Sequence, residues 1–162
     1  MPNAIADTTC IQYLYQVELL DLLPQLYGKV TIPTAVSIEL LQGKALGISL
    51  PDVTTLSWLA IAQVPVIQLA PTIPNLGMGE REVISLSQLT PNSLAILDDG
   101  LARIYATQLN VLFTGTLGIL LKAKQLEHIT TLKPILTQLD VLGFHLDAAT
   151  KQTILKLAKE SP

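Results

Sequence analysis

Five short apolar runs, separated by longer segments of helical periodicity, constrain the fold of this chain more than any other feature. The runs occupy residues 4–6, 30–32, 64–69, 94–97 and 111–113. Their aliphatic and β-branched residues do not alternate with polar residues, which is typical of strands covered on both faces. Strands that alternate with helices predict one α/β domain over residues 1–162, with a parallel sheet and right-handed crossovers.

The segments between and after these runs have the spacing of amphipathic helices. We predict helices over residues 11–26 (interrupted once), 34–42, 80–89, 100–109, 117–124, 131–142 and 148–159. Residues 71–75 are predicted to form a loop, because Pro71 and Pro74 lack backbone donors and disfavour helix.

The high apolar content of the chain belongs to a core. Of the 162 residues, 49% are hydrophobic and 14% are charged, and the mean hydropathy is +0.47. No run approaches the roughly 20 apolar residues of a spanning helix, and the first ten residues lack the pattern of a secretory signal. Cys10 is the only cysteine, so an intrachain disulfide or a Cys-rich zinc site is excluded. We expect a cytoplasmic protein without a membrane partner.

Charge is distributed unevenly along the chain. The net charge is −3 and the isoelectric point is about 5.2, which argues against a broadly basic nucleic-acid-binding surface. Residues 1–121 carry 4 basic and 9 acidic residues, whereas residues 122–162 carry 6 basic and 4 acidic residues. Contacts with a nucleic-acid backbone are therefore expected in the C-terminal part, although its lysines suit a solvated helical face equally well.

The scarce acidic residues fall at informative places. Asp7 directly follows the first apolar run, and Asp98 and Asp99 follow the fourth. Glu39 lies in the predicted helix after the second run, and Glu80 opens a later helix. Open α/β sheets bind ligands outside the carboxyl ends of their strands, where the strand order reverses. If strands one and four are neighbours, Asp7 and Asp98 converge at that point, within reach of the two glutamates.

Such a cluster of carboxylates calls for a cation. Two negative charges ~4 Å apart repel by about 4 kcal/mol at an effective dielectric constant near 20. Ligands that are all oxygen favour Mg²⁺ or Mn²⁺ over zinc. These ions activate water and stabilise the attacking and leaving oxygens in phosphodiester hydrolysis. Taken singly, Asp7 or Asp99 is equally well explained as the N-cap of the following helix.

Six segments, in this order, form a specific combination: Asp7-Thr-Thr9, Val36-Ser-Ile-Glu-Leu40, Gly79-Glu-Arg-Glu82, Leu97-Asp-Asp-Gly-Leu-Ala-Arg103, Thr114-Gly-Thr-Leu-Gly118 and Leu142-Gly-Phe144. Together they resemble, over nearly the whole chain, the PIN-like family of predicted nucleic-acid-binding proteins related to VapC-type toxin ribonucleases. The resemblance implies a three-layer fold in which helices flank a five-stranded parallel sheet of order 3-2-1-4-5.

The resemblance also implies an activity, that of a metal-dependent endoribonuclease acting on RNA, expected to be single-stranded. Catalysis is assigned by the resemblance to Asp7, Glu39, Glu80 and Asp98. The Mg²⁺ or Mn²⁺ ligands would be Asp7, Glu80 and Asp98, with Asp99 as a nearby further acid. Implied partners are an antitoxin protein, which would make this chain the toxin of a pair, and a second copy in a homodimer.

Four further residues are predicted to bind substrate: Thr9, Arg103, Thr114 and Thr116. Thr9 would orient Asp7 or a water molecule at the metal. Arg103 could contact a phosphate, although beside Asp99 on a helix a structural ion pair is the commoner role. The turn that contains Thr114 and Thr116 could present N–H groups to a phosphate, or its glycines could only allow the chain to turn.

Other polar residues are given ordinary roles. Glu82 should point away from Glu80 on their helix and either lie at the surface or pair with Arg103. His128 and His145 have no carboxylate at ligand spacing and are expected to be surface or packing residues.

The sequence leaves two other functions open. A non-catalytic PIN-like nucleic-acid-binding or assembly module would keep the fold without cleaving. A haloacid-dehalogenase-like phosphatase would also place acids after two strands, but its chemistry needs an acid where this chain has Thr9.

Overall fold

The computed structural model describes residues 1–69, 71 and 73–161; Thr72, in the predicted loop, lies outside them. The described residues form five strands: β1 (Asn3–Ala6), β2 (Val30–Pro33), β3 (Leu59–Ala62), β4 (Ser93–Ile96) and β5 (Phe113–Thr114). They also form eight α-helices: α1 (Thr8–Gln16), α2 (Leu22–Tyr27), α3 (Thr34–Ala45), α4 (Met78–Leu89), α5 (Gly100–Gln108), α6 (Thr116–Gln125), α7 (Lys133–Val141) and α8 (Ala148–Leu157).

The strands form one parallel sheet of order β3-β2-β1-β4-β5, as predicted. Strand β1 lies at its centre and pairs in register with β4, so that Ala6 is opposite Ile96. The backbone N–H of Asp7 extends this ladder by donating to the carbonyl of Ile96 over 3.1 Å. Because the two strands run side by side in the same direction, the residues that follow them leave the sheet at the same edge, where the strand order reverses.

The two central strands are covered on both faces, which explains their uninterrupted apolar sequences. Ile5, Ala6, Ala95 and Ile96 are at most 1% exposed, and helices pack against them from both sides of the sheet. Burial of apolar surface contributes roughly 25 cal/mol per Å², and a close-packed interior resists displacement of its elements. The carboxyl ends of β1 and β4 are therefore rigid platforms for the side chains that follow.

The position predicted for the third strand was wrong. Residues 64–69 were expected to form it, but β3 lies at Leu59–Ala62, and Val66–Gln68 forms a short 3₁₀ helix. Strand β3 is at the edge of the sheet, and its middle residues, Ala60 and Ile61, are exposed, so its apolar pattern is weak. In addition, Pro65 has no backbone N–H to donate to a neighbouring strand. Strand β5 lies at Phe113–Thr114, one to two residues beyond the predicted run.

The predicted helices are present, with shifted ends. The segment 11–26 is divided into α1 and α2, as predicted, but α1 begins at Thr8 and directly follows Asp7. Within the part of the chain that the structure describes, no helix is long and apolar enough to cross a membrane.

Candidate metal and nucleic-acid site

Asp7 is the central acid of the site. It follows the buried strand β1 and is only 4% exposed. Burial, the largest cause, and the repulsion of Glu80, Glu39 and Asp98 together raise the pKa of its carboxyl to about 8, against the opposing effect of the Thr8 backbone N–H. Each charged group that shifts this pKa is another acid. A carboxyl group in such surroundings binds either a proton or a cation.

Glu39 reaches this region from α3 and is held by two donors. The Thr8 hydroxyl donates to Oε2 over 2.5 Å, and the Gly79 backbone N–H donates to Oε1 over 2.8 Å. A Cβ at position 79 would lie only 2.5 Å from Oε1, so glycine is needed for the carboxylate to approach α4 this closely. The hydroxyl that orients Glu39 therefore belongs to Thr8, a contact that the sequence did not indicate.

Glu80 and Asp99 lie near each other at two helix N-termini. Glu80 accepts a hydrogen bond from the Gly77 N–H over 3.1 Å. Burial raises the pKa of Glu80, and Asp99 and Glu39 add to the effect. Asp99 caps α5 by accepting from the Ala102 N–H over 3.0 Å. The N-cap interpretation thus holds for Asp99, whereas Asp7 occupies the N-cap position of α1 without a side-chain capping bond.

Asp98 is fixed by the first residue of α6. The Thr116 N–H donates to Oδ1 over 2.8 Å, and the Thr116 hydroxyl donates to Oδ2 over 2.7 Å. Thr116 is fully buried. Both of its donors are engaged with Asp98, so the position of this carboxylate depends directly on the turn between β5 and α6.

Arg103 lies beside Asp98 rather than Asp99, which corrects the expected ion pair. Its Nη2 is 4.0 Å from Asp98 Oδ1, and its Nε donates to the carbonyl of Leu97 over 2.7 Å. The guanidinium also lies over the Phe113 ring, 5.4 Å from its centroid. A Cβ at Gly115 would collide with Nη2, so this glycine leaves the space that Arg103 occupies.

Three polar residues outside the acidic cluster, Glu82, His128 and His145, lie in different surroundings. Glu82 is half-buried and accepts a hydrogen bond from the Ala35 N–H over 3.1 Å, so the suggested pair with Arg103 was wrong. His128 is exposed. His145 is also exposed but lines the same pocket as Asp98, Arg103 and Thr114. No sequence signal could have located it, since 46 residues separate His145 from Asp98.

The donor chemistry of the acidic cluster fits a divalent cation. Its ligands would be carboxylate oxygens, and Asp7 is a buried acid with acidic neighbours. Among the described residues, however, no group of three or more His, Cys, Asp or Glu side chains is already arranged to hold a metal ion. The flanking acids instead accept hydrogen bonds from protein donors. Metal binding would therefore require some of these side chains to turn towards Asp7.

Comparison with known protein families agrees with the fold and its sheet order. The sequence model of a family described as a PIN domain matches residues 3–160. No curated protein matches the chain at a significant level of similarity. PIN domains have a nuclease fold associated with nucleic-acid binding and generally use divalent metal ions. The match excludes the phosphatase alternative: the chain belongs to the PIN-domain family.

Proposed function

We propose that this protein is a metal-dependent endoribonuclease that hydrolyses phosphodiester bonds of single-stranded RNA as one domain over residues 1–162. The observation that carries the proposal is Asp7, a buried carboxyl group at the end of the central strand, with three acids close enough to raise its pKa. A structural acid has no need of acidic neighbours, because their repulsion costs folding free energy. A site that holds Mg²⁺ or Mn²⁺ explains why these acids are gathered.

The acids have separate roles in this proposal. Asp7, Glu80 and Asp98 hold the cation, and Asp99 contributes negative potential close to Glu80. When bound, Mg²⁺ or Mn²⁺ supplies Lewis-acid stabilisation of the charge on the phosphate. Glu39, fixed by its two donors, is placed to orient water or to accept its proton.

The substrate contacts divide between two residues and leave two others in supporting roles. Arg103 faces Asp98 and can pair with a phosphate, and Thr114 lines the same pocket. Thr116 uses both of its donors on Asp98, so we assign it the positioning of that carboxylate. Thr9 is half-buried near the start of α1 and keeps only its predicted role beside Asp7.

The biological setting is proposed from the resemblance to toxin ribonucleases and, for the location, from the composition of the chain. A toxin role, an antitoxin partner, a homodimer and a cytoplasmic location are proposals of the same kind as the nuclease activity. A non-catalytic nucleic-acid-binding module is the second candidate function. It is favoured by the flanking acids, which accept hydrogen bonds from the protein, and by the net charge of −3.

Metal-dependent cleavage of RNA tests the proposal. We expect the purified protein to cut fluorescently labelled single-stranded RNA in Mg²⁺ or Mn²⁺, and excess EDTA to abolish cleavage. Restoring free metal should restore the activity, because chelation removes the cation and leaves the fold intact. Gel electrophoresis of the products measures the rate, and double-stranded RNA and single-stranded DNA of the same sequence test the substrate class.

His128→Ala provides the matched control, since His128 is exposed and outside the acidic cluster; this variant should cleave like the wild type. RNA that binds but stays intact at every metal concentration would favour the non-catalytic module. Cleavage that persists in EDTA would contradict a metal-dependent mechanism.

A further inference from the structure

A pocket of about 470 Å³ opens beside Asp98. One side is formed by Arg103, Phe113 and the turn at the start of α6, and the other by the loop between α7 and α8 together with the first turns of α8. The pocket therefore adjoins the proposed metal ligands, and part of its wall comes from residues 144–154, to which the sequence assigned no site residues.

The lining of this pocket suits a nucleotide in size and chemistry. Its volume lies within the range of roughly 300–1,000 Å³ that is typical of small-molecule sites. Leu117, Leu146 and Ile154 provide an apolar wall, whereas Thr114 and Thr150 provide hydroxyl groups. Apolar walls with a few polar groups are what an unstacked base requires.

Arg103 places a positively charged guanidinium group between the pocket and Asp98. In the described part of the chain, its hydrogen bonding uses Nε alone, on the Leu97 carbonyl. The 4.0 Å separation from Asp98 Oδ1 is too long for a hydrogen bond. The remaining N–H groups can therefore donate to a phosphate, and the contact with Phe113 keeps the guanidinium in place.

His145 lines the pocket from a loop that is held in place by the preceding residue. The preceding residue, Phe144, packs edge-on against Tyr13 with ring centroids 5.1 Å apart, and its N–H donates to the carbonyl of Leu139. His145 itself is exposed, so its ring can be covered by a ligand without any change in the core. Flat side chains of this kind stack on unpaired bases.

We propose that this pocket binds one nucleotide of the RNA strand, adjacent to the bond that is cut. Its base lies against His145 and the apolar wall, and its phosphate faces Arg103. The identification of the ligand as RNA rests on the proposed function, whereas the pocket and its two recognition groups do not. A peptide side chain is the competing occupant, and it lacks the phosphate that Arg103 would pair with.

Binding of mononucleotides tests this inference without requiring cleavage. We expect titration of the ¹⁵N-labelled protein with 5′-UMP or 5′-AMP in Mg²⁺ to shift the amide signals of residues 114–118 and 144–150. His145→Ala should weaken binding about fivefold or more. His145→Phe, which retains a flat ring, should keep most of it. Uridine, without the phosphate, should bind more weakly than 5′-UMP because Arg103 loses its partner.

The control is His128→Ala, which removes the other exposed histidine and should bind like the wild type. Shifts confined to another surface, or equal affinities of His145→Ala and the wild type, would overturn the pocket assignment even if the protein cleaves RNA. Mononucleotide binding at the predicted residues in a protein that never cleaves would support the pocket while refuting the nuclease proposal.

Discussion

Asp7→Asn is expected to lower the rate of RNA cleavage at least about a hundredfold, since a cation held at this position contributes several kcal/mol of transition-state stabilisation. Asparagine preserves the size of the side chain but removes its charge. Glu80→Gln should act in the same direction, because its carboxylate is half-buried near Asp7. Single-turnover cleavage of labelled RNA measures both losses apart from product release.

Glu82→Gln is the matched control for Glu80→Gln. The two glutamates lie on the same helix, two residues apart, but Glu82 accepts its hydrogen bond from the Ala35 N–H, and glutamine can accept the same bond. This variant should retain wild-type activity. Equal rates for Asp7→Asn and the wild type would mean that the nuclease site lies elsewhere or that the activity belongs to a contaminant.

In the absence of metal, the Asp7→Asn protein is expected to be more stable than the wild type, and this is the second large effect. Burial and acidic neighbours disfavour the charged carboxylate of Asp7, and asparagine removes this cost. We expect a gain of about 2 kcal/mol, or roughly 4–8 °C in Tm for a chain of this length. Thermal melts in EDTA at neutral pH measure it, and Asp140→Asn, at an exposed acid on α7, should leave Tm nearly unchanged.

The raised pKa of Asp7 also predicts how the stability of the metal-free wild type depends on pH. The pKa of Asp7 is raised from 3.8 in the unfolded chain to about 8 in the folded protein. Between these values the folded state retains a proton that the unfolded state has lost, so the free energy of unfolding falls as pH rises. The contribution of Asp7 levels off above about pH 8. Asp7→Asn should flatten the decline, and an unchanged slope would contradict the raised pKa.

Adding a divalent metal should make the wild type more stable than Asp7→Asn, the reverse of their order in EDTA. A ligand that binds only the folded state stabilises it by RT ln(1 + [L]/Kd), about 2.7 kcal/mol at ~100 Kd. Wild type should gain this stabilisation from Mn²⁺, whereas Asp7→Asn should gain much less. Equal increases in Tm for both proteins would exclude Asp7 as a ligand.

Much of the fold could be predicted from the sequence because its central strands carry a strong signal. The runs before Asp7 and Asp98 are apolar without interruption, since both faces of β1 and β4 are buried. The same patterns placed the two acids at one edge of the sheet. Strand β3 was misplaced because an edge strand is paired on one side only and its exposed residues need not follow a core pattern.

The details of the site were less predictable because they depend on the exact phase of each helix. Helix α1 begins one residue after Asp7, and this start directs the Thr8 hydroxyl towards Glu39, a contact that the sequence did not indicate. The partner of Glu82 is likewise set by the packing of α4 beside α3. His145 reaches the pocket through a tertiary contact between distant segments, which no local pattern reports.

Binding of a divalent cation by these acids can be observed in crystals soaked in Mn²⁺ and measured at a wavelength where manganese scatters anomalously. We expect an anomalous peak within about 2.0–2.3 Å of carboxylate oxygens of Asp7 and of at least one of Asp98 and Glu80. The peak should disappear in Asp7→Asn crystals. An Mn²⁺-soaked crystal with no peak at these carboxylates, or with manganese bound only elsewhere, would contradict cation binding by these acids.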